Sequence, residues 1–371
     1  MIYLDHAATT PVRAEVLAAM LPFFSENYAN ASSGYAAARI GRTAIDAARG
    51  EVAKVIGAKK SEIYFTSGGS ESDNWALLGA ASGRPERKHI ITTRIEHHAV
   101  LHACQALERR GYEITYLDVD RLGRVSPNDF ERAIRPDTLL ASVMLANNEV
   151  GTIEPIAQLS KIAHAYGVLM HTDAVQAVGH IPVDVQMLDV DLLSISAHKF
   201  GGPKGCGALY VRDGVRIDNL IYGGAQERSL RAGTENVPAI VGMGKAVSLA
   251  ATHMVQSAAH VSALRDVLEA ELVNLGGIRV NGDCGNRLPG HLHVSIEGAN
   301  TSILLMRLDM AGIAVSAGSA CSSGAAERSH VIEAMGISGE IQADIRFSLG
   351  EQNTIEEMAA VVECMRQILK R

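Results

Sequence analysis

The sequence predicts an α/β protein in which a mainly parallel sheet is covered by helices on both faces, with a smaller α+β domain attached. Three observations carry this. Strand-like and helix-like stretches alternate from about residue 62 to residue 211. Most of the strand-like stretches are short, nearly continuous apolar runs, as expected of strands buried on both faces. Beyond about residue 260 the regular alternation stops and helices and strands follow in mixed order.

Taken in order, residues 2–4 read as a short strand, and a helix is expected from Pro11, since proline suits a first helical turn. Residues 27–34, NYANASSG, are turn-formers. Helical spacing returns over 38–56. Strand 62–66 and helix 71–81 follow, then strand 89–93 and helix 98–110. Tyr112, Ile114 and Tyr116 place larger side chains at every second position, as in a strand. Ser126-Pro127 supplies an N-cap and a first-turn proline for a short helix. Residues 138–145 read as a strand. Ile156, Leu159, Ile162, Ala163 and Tyr166 share one helical face, and Gly167 can end that helix. Strands are expected at 168–170, 190–195 and 208–211. Two helices follow, from 236 to about 260 and over 262–275. Next come strands 278–280, 291–296 and 313–315, a helix at 301–311 before the last of these, and a strand at 344–349. The final helix carries Ile355, Met358, Val362, Met365 and Leu369 at alternating spacings of three and four, a single apolar stripe. This divides the chain into a large domain, 15–255, and a small domain made of 1–14 and 256–371.

Bulk properties narrow the function. The 371 residues are 47% hydrophobic and 20% charged, with a net charge of −7 and interspersed signs. No basic block points to nucleic acid or to an anionic membrane. No apolar run approaches the roughly 18 residues of a membrane span. The opening MIYLDHAATT lacks the basic and apolar regions of a signal peptide. Cysteines 104, 206, 284, 321 and 364 are odd in number, scattered and free of CxxC spacing, which fits free thiols in a reducing cytoplasm.

Residues with chemistry gather after strand ends, where open α/β sheets bind ligands. Lys199 follows strand 190–195 beside Ser196 and His198, and precedes the turn Gly201-Gly202-Pro203-Lys204-Gly205. A partly desolvated lysine there can lose its proton and attack a carbonyl carbon; a solvated loop lysine is the plain alternative. The run from Thr66 to Ser72 takes a strand through Gly68-Gly69 and Ser70 into a helix. It is a phosphate cradle or an ordinary strand-to-helix turn. Asp173 could pair with a protonated ring nitrogen or cap a helix, and Gln176 could reach a ring hydroxyl. His97 could stack on a ring and carry protons. His98 and His102 have metal-like spacing, but no third ligand matches and no metal is expected. Asn147-Asn148-Glu149 follows another strand end and could be a simple turn. An anion cradle, an acid, an imidazole and an amine at the ends of one sheet together describe a pyridoxal-phosphate site.

Several stretches resemble the cysteine desulfurases of the class V, fold-type I aminotransferase superfamily: residues 4–10 (LDHAATT), 66–74 (TSGGSESDN), 147–149, 196–205 (SAHKFGGPKG), 231–236 (RAGTEN) and 346–350 (RFSLG). Residues 315–324, VSAGSACSSG, resemble the catalytic-cysteine loop of the group I enzymes. As a bare sequence this is a cysteine among small residues, unlike a packed core position. The resemblance implies a pyridoxal 5′-phosphate enzyme that takes sulfur from L-cysteine, leaving L-alanine and a persulfide on Cys321. It implies that Lys199 holds the cofactor as a Schiff base and moves protons. Asp173 is expected at the pyridine nitrogen, Gln176 at the ring hydroxyl, and His97 on the ring. Gly69, Ser70, Ser196 and His198 are expected at the phosphate, joined by Thr234 of the second subunit of a homodimer. Asn148 is expected beside the cofactor and, with Arg346, at the substrate carboxylate. A sulfur-acceptor protein such as an iron–sulfur scaffold and a cytoplasmic location follow from the same likeness. Selenocysteine lyase, or another class V lyase or aminotransferase, is the alternative activity. The family often has Asn-Pro-Ser-Ser where this chain has Asn30-Ala31-Ser32-Ser33, which bears on local pocket contacts rather than on the chemistry.

Overall fold

The computed structural model describes residues 1–318, 329–337 and 343–370. Its main sheet has seven strands in the spatial order Ile63–Thr66, Gly207–Val211, Leu192–Ser196, Leu169–Asp173, Thr138–Ser142, His89–Thr93, Glu113–Leu117. Gly207–Val211 is antiparallel to both neighbours, and the other adjacent pairs are parallel. All strands but that one therefore point the same way, and their carboxyl ends share one edge.

Successive residues of these strands enter different apolar cores, because side chains alternate across a pleated sheet. Ile91, Ala141, Met170 and Leu193 pack on one face with Ile45 and Val52 of helix Ala36–Val55. Ile90, Leu140, Leu169 and Leu192 pack on the other with Trp75, Leu77, Val100 and Leu107 of helices Gly69–Gly83 and His98–Glu108. Burial on both faces explains the continuous apolar runs. A buried ion pair fixes the strand that leads into the glycine turn. Arg49 reaches both oxygens of Glu227 at 2.7 Å and donates to the Ile63 carbonyl, while Glu227 accepts the Phe65 N–H at 2.9 Å.

A second core joins Leu4, Leu264, Leu268, Val294, Ile345, Phe347, Met358 and Met365. Its antiparallel strands run in the order Ala343–Ser348, His291–Ile296, Ile278–Asn281. Helix Ile355–Leu369 covers them, capped by Thr354 and Glu357 in a reciprocal capping box.

Two helix expectations are corrected. Residues 236–260 and 262–275 form one helix, Val237–Asn274, capped by Asn236. At 38 residues it is roughly 57 Å long. Its buried positions stop at Ala250 and resume at Val261, where it passes from the first core to the second. The sequence break at that point reflects a change of packing partner, not a change of backbone. The helix expected from Pro11 begins instead at Ala14, after an extended Arg13 whose N–H donates to Gly201 O at 3.1 Å. Tertiary pairing with the lysine turn holds residues 10–13 out of the helix.

Candidate active site

Lys199 closes a single 3₁₀ turn, Ala197–Lys199, directly after strand Leu192–Ser196. The backbone around it is held from two sides. The Thr10 N–H and hydroxyl both donate to the His198 carbonyl, at 2.9 and 2.8 Å, and Thr10 Oγ1 accepts the Gly201 N–H at 2.8 Å. His180 Nε2 lies 2.9 Å from the Lys199 carbonyl; a carbonyl only accepts, so that nitrogen carries the proton. Burial holds the His180 imidazole below its usual pKa. The Lys199 amine itself donates to Ala7 O at 2.6 Å and Ala8 O at 2.9 Å.

The glycine turn lies beside it. Gly68 has φ 153°, a conformation that side chains disfavour. A Cβ on Gly69 would come within 2.7 Å of Val175 Cγ2, so this turn packs directly against the turn that carries Asp173. Glu71 ties the turn down by accepting the Ser67 N–H and a forked pair of bonds from Arg231 at 2.8 and 3.0 Å. An open cleft of about 430 Å³ is bordered by Gly68, Gly69, Ser70, Ser196, His198 and Lys204. First-turn N–H groups lack intrahelical acceptors and favour an anion, and Lys204 adds a cation at the rim. The cleft is bordered by the residues that the sequence singled out for an anion, Gly69, Ser70, Ser196 and His198.

Asp173 ends strand Leu169–Asp173 and is 6% exposed. Its Oδ1 accepts the Val175 N–H at 2.8 Å, but a turn and not a helix follows, so the helix-capping alternative is not met. Burial raises its pKa to about 6, against the pull of the Lys199 charge. His97 caps helix His98–Glu108 through Nδ1, which accepts the Ala99 N–H at 3.1 Å. The proton of the neutral ring therefore sits on Nε2. Burial, then the charge of Lys199, lowers the His97 pKa to about 4, and the same causes bring His198 to about 4. Both rings are neutral near pH 7. The Lys199 charge thus acts on Asp173, His97 and His198, which places the four groups in one electrostatic neighbourhood.

Gln176 donates to Ala7 O at 3.0 Å, sharing the carbonyl that receives Lys199. It lines, with His6, Ala7, Lys199 and His180, a separate cavity of about 70 Å³. Arg346 is 1% exposed on strand Ala343–Ser348. It donates to Asn148 O at 2.9 Å and to Asp5 Oδ1 at 2.8 Å, so the two residues expected at the substrate carboxylate are in contact. Thr234 is exposed and lines neither cavity. Cys321 lies outside the described residues.

Sequence reasoning gave no role to Asp5, Thr10 or His180. The first two stand in the 4–10 motif, which was the available signal. Nothing in the sequence around His180 marks it.

An amine, an acid, an imidazole and a glycine-rich turn gathered at the carboxyl ends of a mainly parallel sheet define an α/β enzyme whose candidate site centres on Lys199. The chain belongs to the aminotransferase class-V family, whose model matches residues 2–361. It is 50% identical over 372 residues to "Cysteine desulfurase IscS" of Methanosarcina thermophila, covering 100% of this chain and 92% of that one. Among solved structures, one titled "NIFS-LIKE PROTEIN" matches with a TM-score of 0.94 and 41% identity, covering 100% of this chain and 99% of the other. Another, titled "SspA in complex with cysteine", matches with a TM-score of 0.84 and 37% identity, covering 95% and 100%. The likeness read from the motifs is thereby upheld over the whole chain. It favours desulfurase activity over the selenocysteine lyase alternative. No described helix is long and apolar enough to cross a membrane.

Proposed function

We propose that this protein is a pyridoxal-phosphate-dependent cysteine desulfurase that converts L-cysteine to L-alanine and takes the sulfur as a persulfide on Cys321. One observation carries the amino-acid part of this reading. The four-residue segment Asp5–Ala8 touches both the Lys199 amine, through Ala7 O and Ala8 O, and the Arg346 guanidinium, through Asp5. An amine and a carboxylate receptor that share so short a segment suit an α-amino acid.

The residues present fit the cofactor. The Gly69–Ser70 turn, Ser196 and His198 would hold its phosphate, and Asp173 Oδ2 would face its ring nitrogen. Gln176 would serve the ring hydroxyl, His97 the ring face, and Lys199 would bond to it. Bound there, pyridoxal phosphate supplies an electron sink for the α-carbon of an amino acid. The chain's own groups do the rest. Arg346 receives the substrate carboxylate, with Asn148 beside it. Lys199 takes and returns protons at its Nζ. The neutral His97 ring, whose Nδ1 accepts the Ala99 N–H, presents its Nε2 proton as a donor without bringing a positive charge of its own. The Cys321 thiolate bonds to the substrate sulfur as the carbon–sulfur bond breaks.

In the same reading, Thr234 completes the phosphate site of a partner subunit in a homodimer, and residues 15–255 form a domain distinct from 1–14 with 256–371. The persulfide passes to an acceptor protein such as an iron–sulfur scaffold in the cytoplasm. The test is direct. Purified protein supplied with pyridoxal phosphate should absorb at about 410–420 nm and form alanine from L-cysteine. A protein that takes up no cofactor, or that leaves L-cysteine unchanged, sinks the proposal.

The pH dependence of cofactor binding should follow Asp173. With a pKa near 6, this carboxyl keeps its proton below about pH 6 and is an anion above it. A cationic ring nitrogen needs the anion, so cofactor affinity is expected to rise as pH increases through about 6 and then level off. Asp173→Asn should weaken binding and remove the rise, read by equilibrium titration of cofactor fluorescence from pH 5 to 8. An unchanged profile in the variant would remove Asp173 from this role.

A further inference from the structure

Arg346 carries a carboxylate before any substrate arrives. Its Nη2 donates to Asp5 Oδ1 at 2.8 Å and its Nη1 to the Asn148 carbonyl at 2.9 Å, while Nε is buried with no hydrogen-bond partner. The arginine side chain is 2% exposed and that of Asp5 17%. The backbone on both sides is fixed. Arg346 exchanges N–H···O bonds with Ser316, and Asp5 bridges to Ser348. A guanidinium this deep needs a counter-charge, and Asp5 is the acidic side chain in contact with it. A buried donor without a partner is costly, so Nε is an edge waiting for an acceptor.

Resting on the reading of Arg346 as the carboxylate receptor, we propose that Asp5 is a positioning residue that holds the receptor until substrate competes for it. It stabilises the empty site and orients the guanidinium with its Nε edge open. The entering α-carboxylate then meets a cation already half neutralised by Asp5, and the two anions repel. A carboxylate ligand must therefore displace or share Asp5 to reach the guanidinium. The position thereby lowers affinity for every carboxylate ligand while protecting the buried arginine.

Asp5→Asn keeps the shape and a hydrogen-bond acceptor but removes the competing charge. In the cofactor-loaded protein, calorimetric titration should show L-alanine binding about 10-fold more tightly to the variant, in line with the loss of a nearby like charge. Binding of ethylamine, which is alanine without its carboxylate, should change less than about 2-fold. KM for L-cysteine should fall with little gain in kcat, and the gap between native and variant should narrow in high salt. Without ligand, the variant should melt lower than the native protein and regain more stability from L-alanine. If the Asn variant does not fold by circular dichroism, Asp5→Ser in the same titrations decides the matter. L-alanine binding that is unchanged or weaker in a folded variant overturns the proposal, because Asp5 then only props up Arg346. The two layers separate cleanly: a native protein that leaves L-cysteine unchanged defeats the proposed function, whereas native turnover without tighter binding by the variant defeats Asp5 alone.

Discussion

Lys199→Ala protein is expected to bind pyridoxal phosphate without bonding to it and to convert L-cysteine more than about 10³-fold more slowly than the native chain. The effect is chemical rather than structural. The Lys199 backbone is gripped at its carbonyl by His180, and its neighbours His198 and Gly201 are gripped by Thr10, so none of these contacts uses the lysine side chain. Truncation removes the side chain beyond Cβ, whose amine donates to Ala7 O and Ala8 O. Two tasks disappear with it: the covalent hold on the cofactor and proton transfer at the substrate. Either alone accounts for losses of about 10²–10⁴-fold. Borohydride treatment separates them from simple misfolding. It should fix the cofactor to the native chain through dialysis and leave it removable from the variant. A variant that turns over L-cysteine at near-native rate would show that another amine does the work.

The same contacts explain which parts of the site the sequence revealed. Lys199, His97 and the Gly68-Gly69 turn sit just past a strand and Asp173 ends one, and strand ends are local features written in a few consecutive residues. Their gathering follows from parallel topology, since Leu169–Asp173 and Leu192–Ser196 pair in parallel and deliver their carboxyl ends to one edge. What the sequence hid is non-local. The Asp5–Arg346 pair joins residues 341 positions apart, and no spacing rule reaches that far. His180 is similar: its ring acts on the Lys199 backbone from 19 residues earlier, through a contact that only the folded turn creates. The helix errors have the same root. Helix Val237–Asn274 looked like two because its apolar face changes partner between Ala250 and Val261, leaving Val255 85% exposed in between. Periodicity reports which face is buried, and here the burial, not the helix, is interrupted.

Cys321→Ala should leave the cofactor's colour intact and reduce alanine formation from L-cysteine by at least about 10³-fold, with no sulfur retained on the protein. The thiols that the structure does describe make this a sharp test. Burial pushes the Cys206 thiol up to about 12 and that of Cys104 higher still, so both stay protonated and unreactive near pH 7. Cys364 is half-buried, with its thiol also pushed up by burial, and Cys284 is exposed. None of the four lines either cavity beside Lys199. Ser316 and Gly318, which precede the Cys321 stretch in sequence, are held close to Arg346. Ser316 exchanges backbone bonds with Arg346, and a Cβ on Gly318 would lie 2.9 Å from Ser329 Cβ, whose hydroxyl donates to the buried Glu149 next to Asn148. Residues 318 and 329 thus meet beside Glu149, next to the Asn148 that contacts Arg346, and Cys321 is three positions along the sequence from the first of them. Incubation with sulfur-labelled cysteine, followed by peptide mass analysis, should place the label on Cys321 and on none of the other four. Label on Cys284 or Cys364 in the native protein, or undiminished alanine from the variant, would assign the sulfur to a different acceptor.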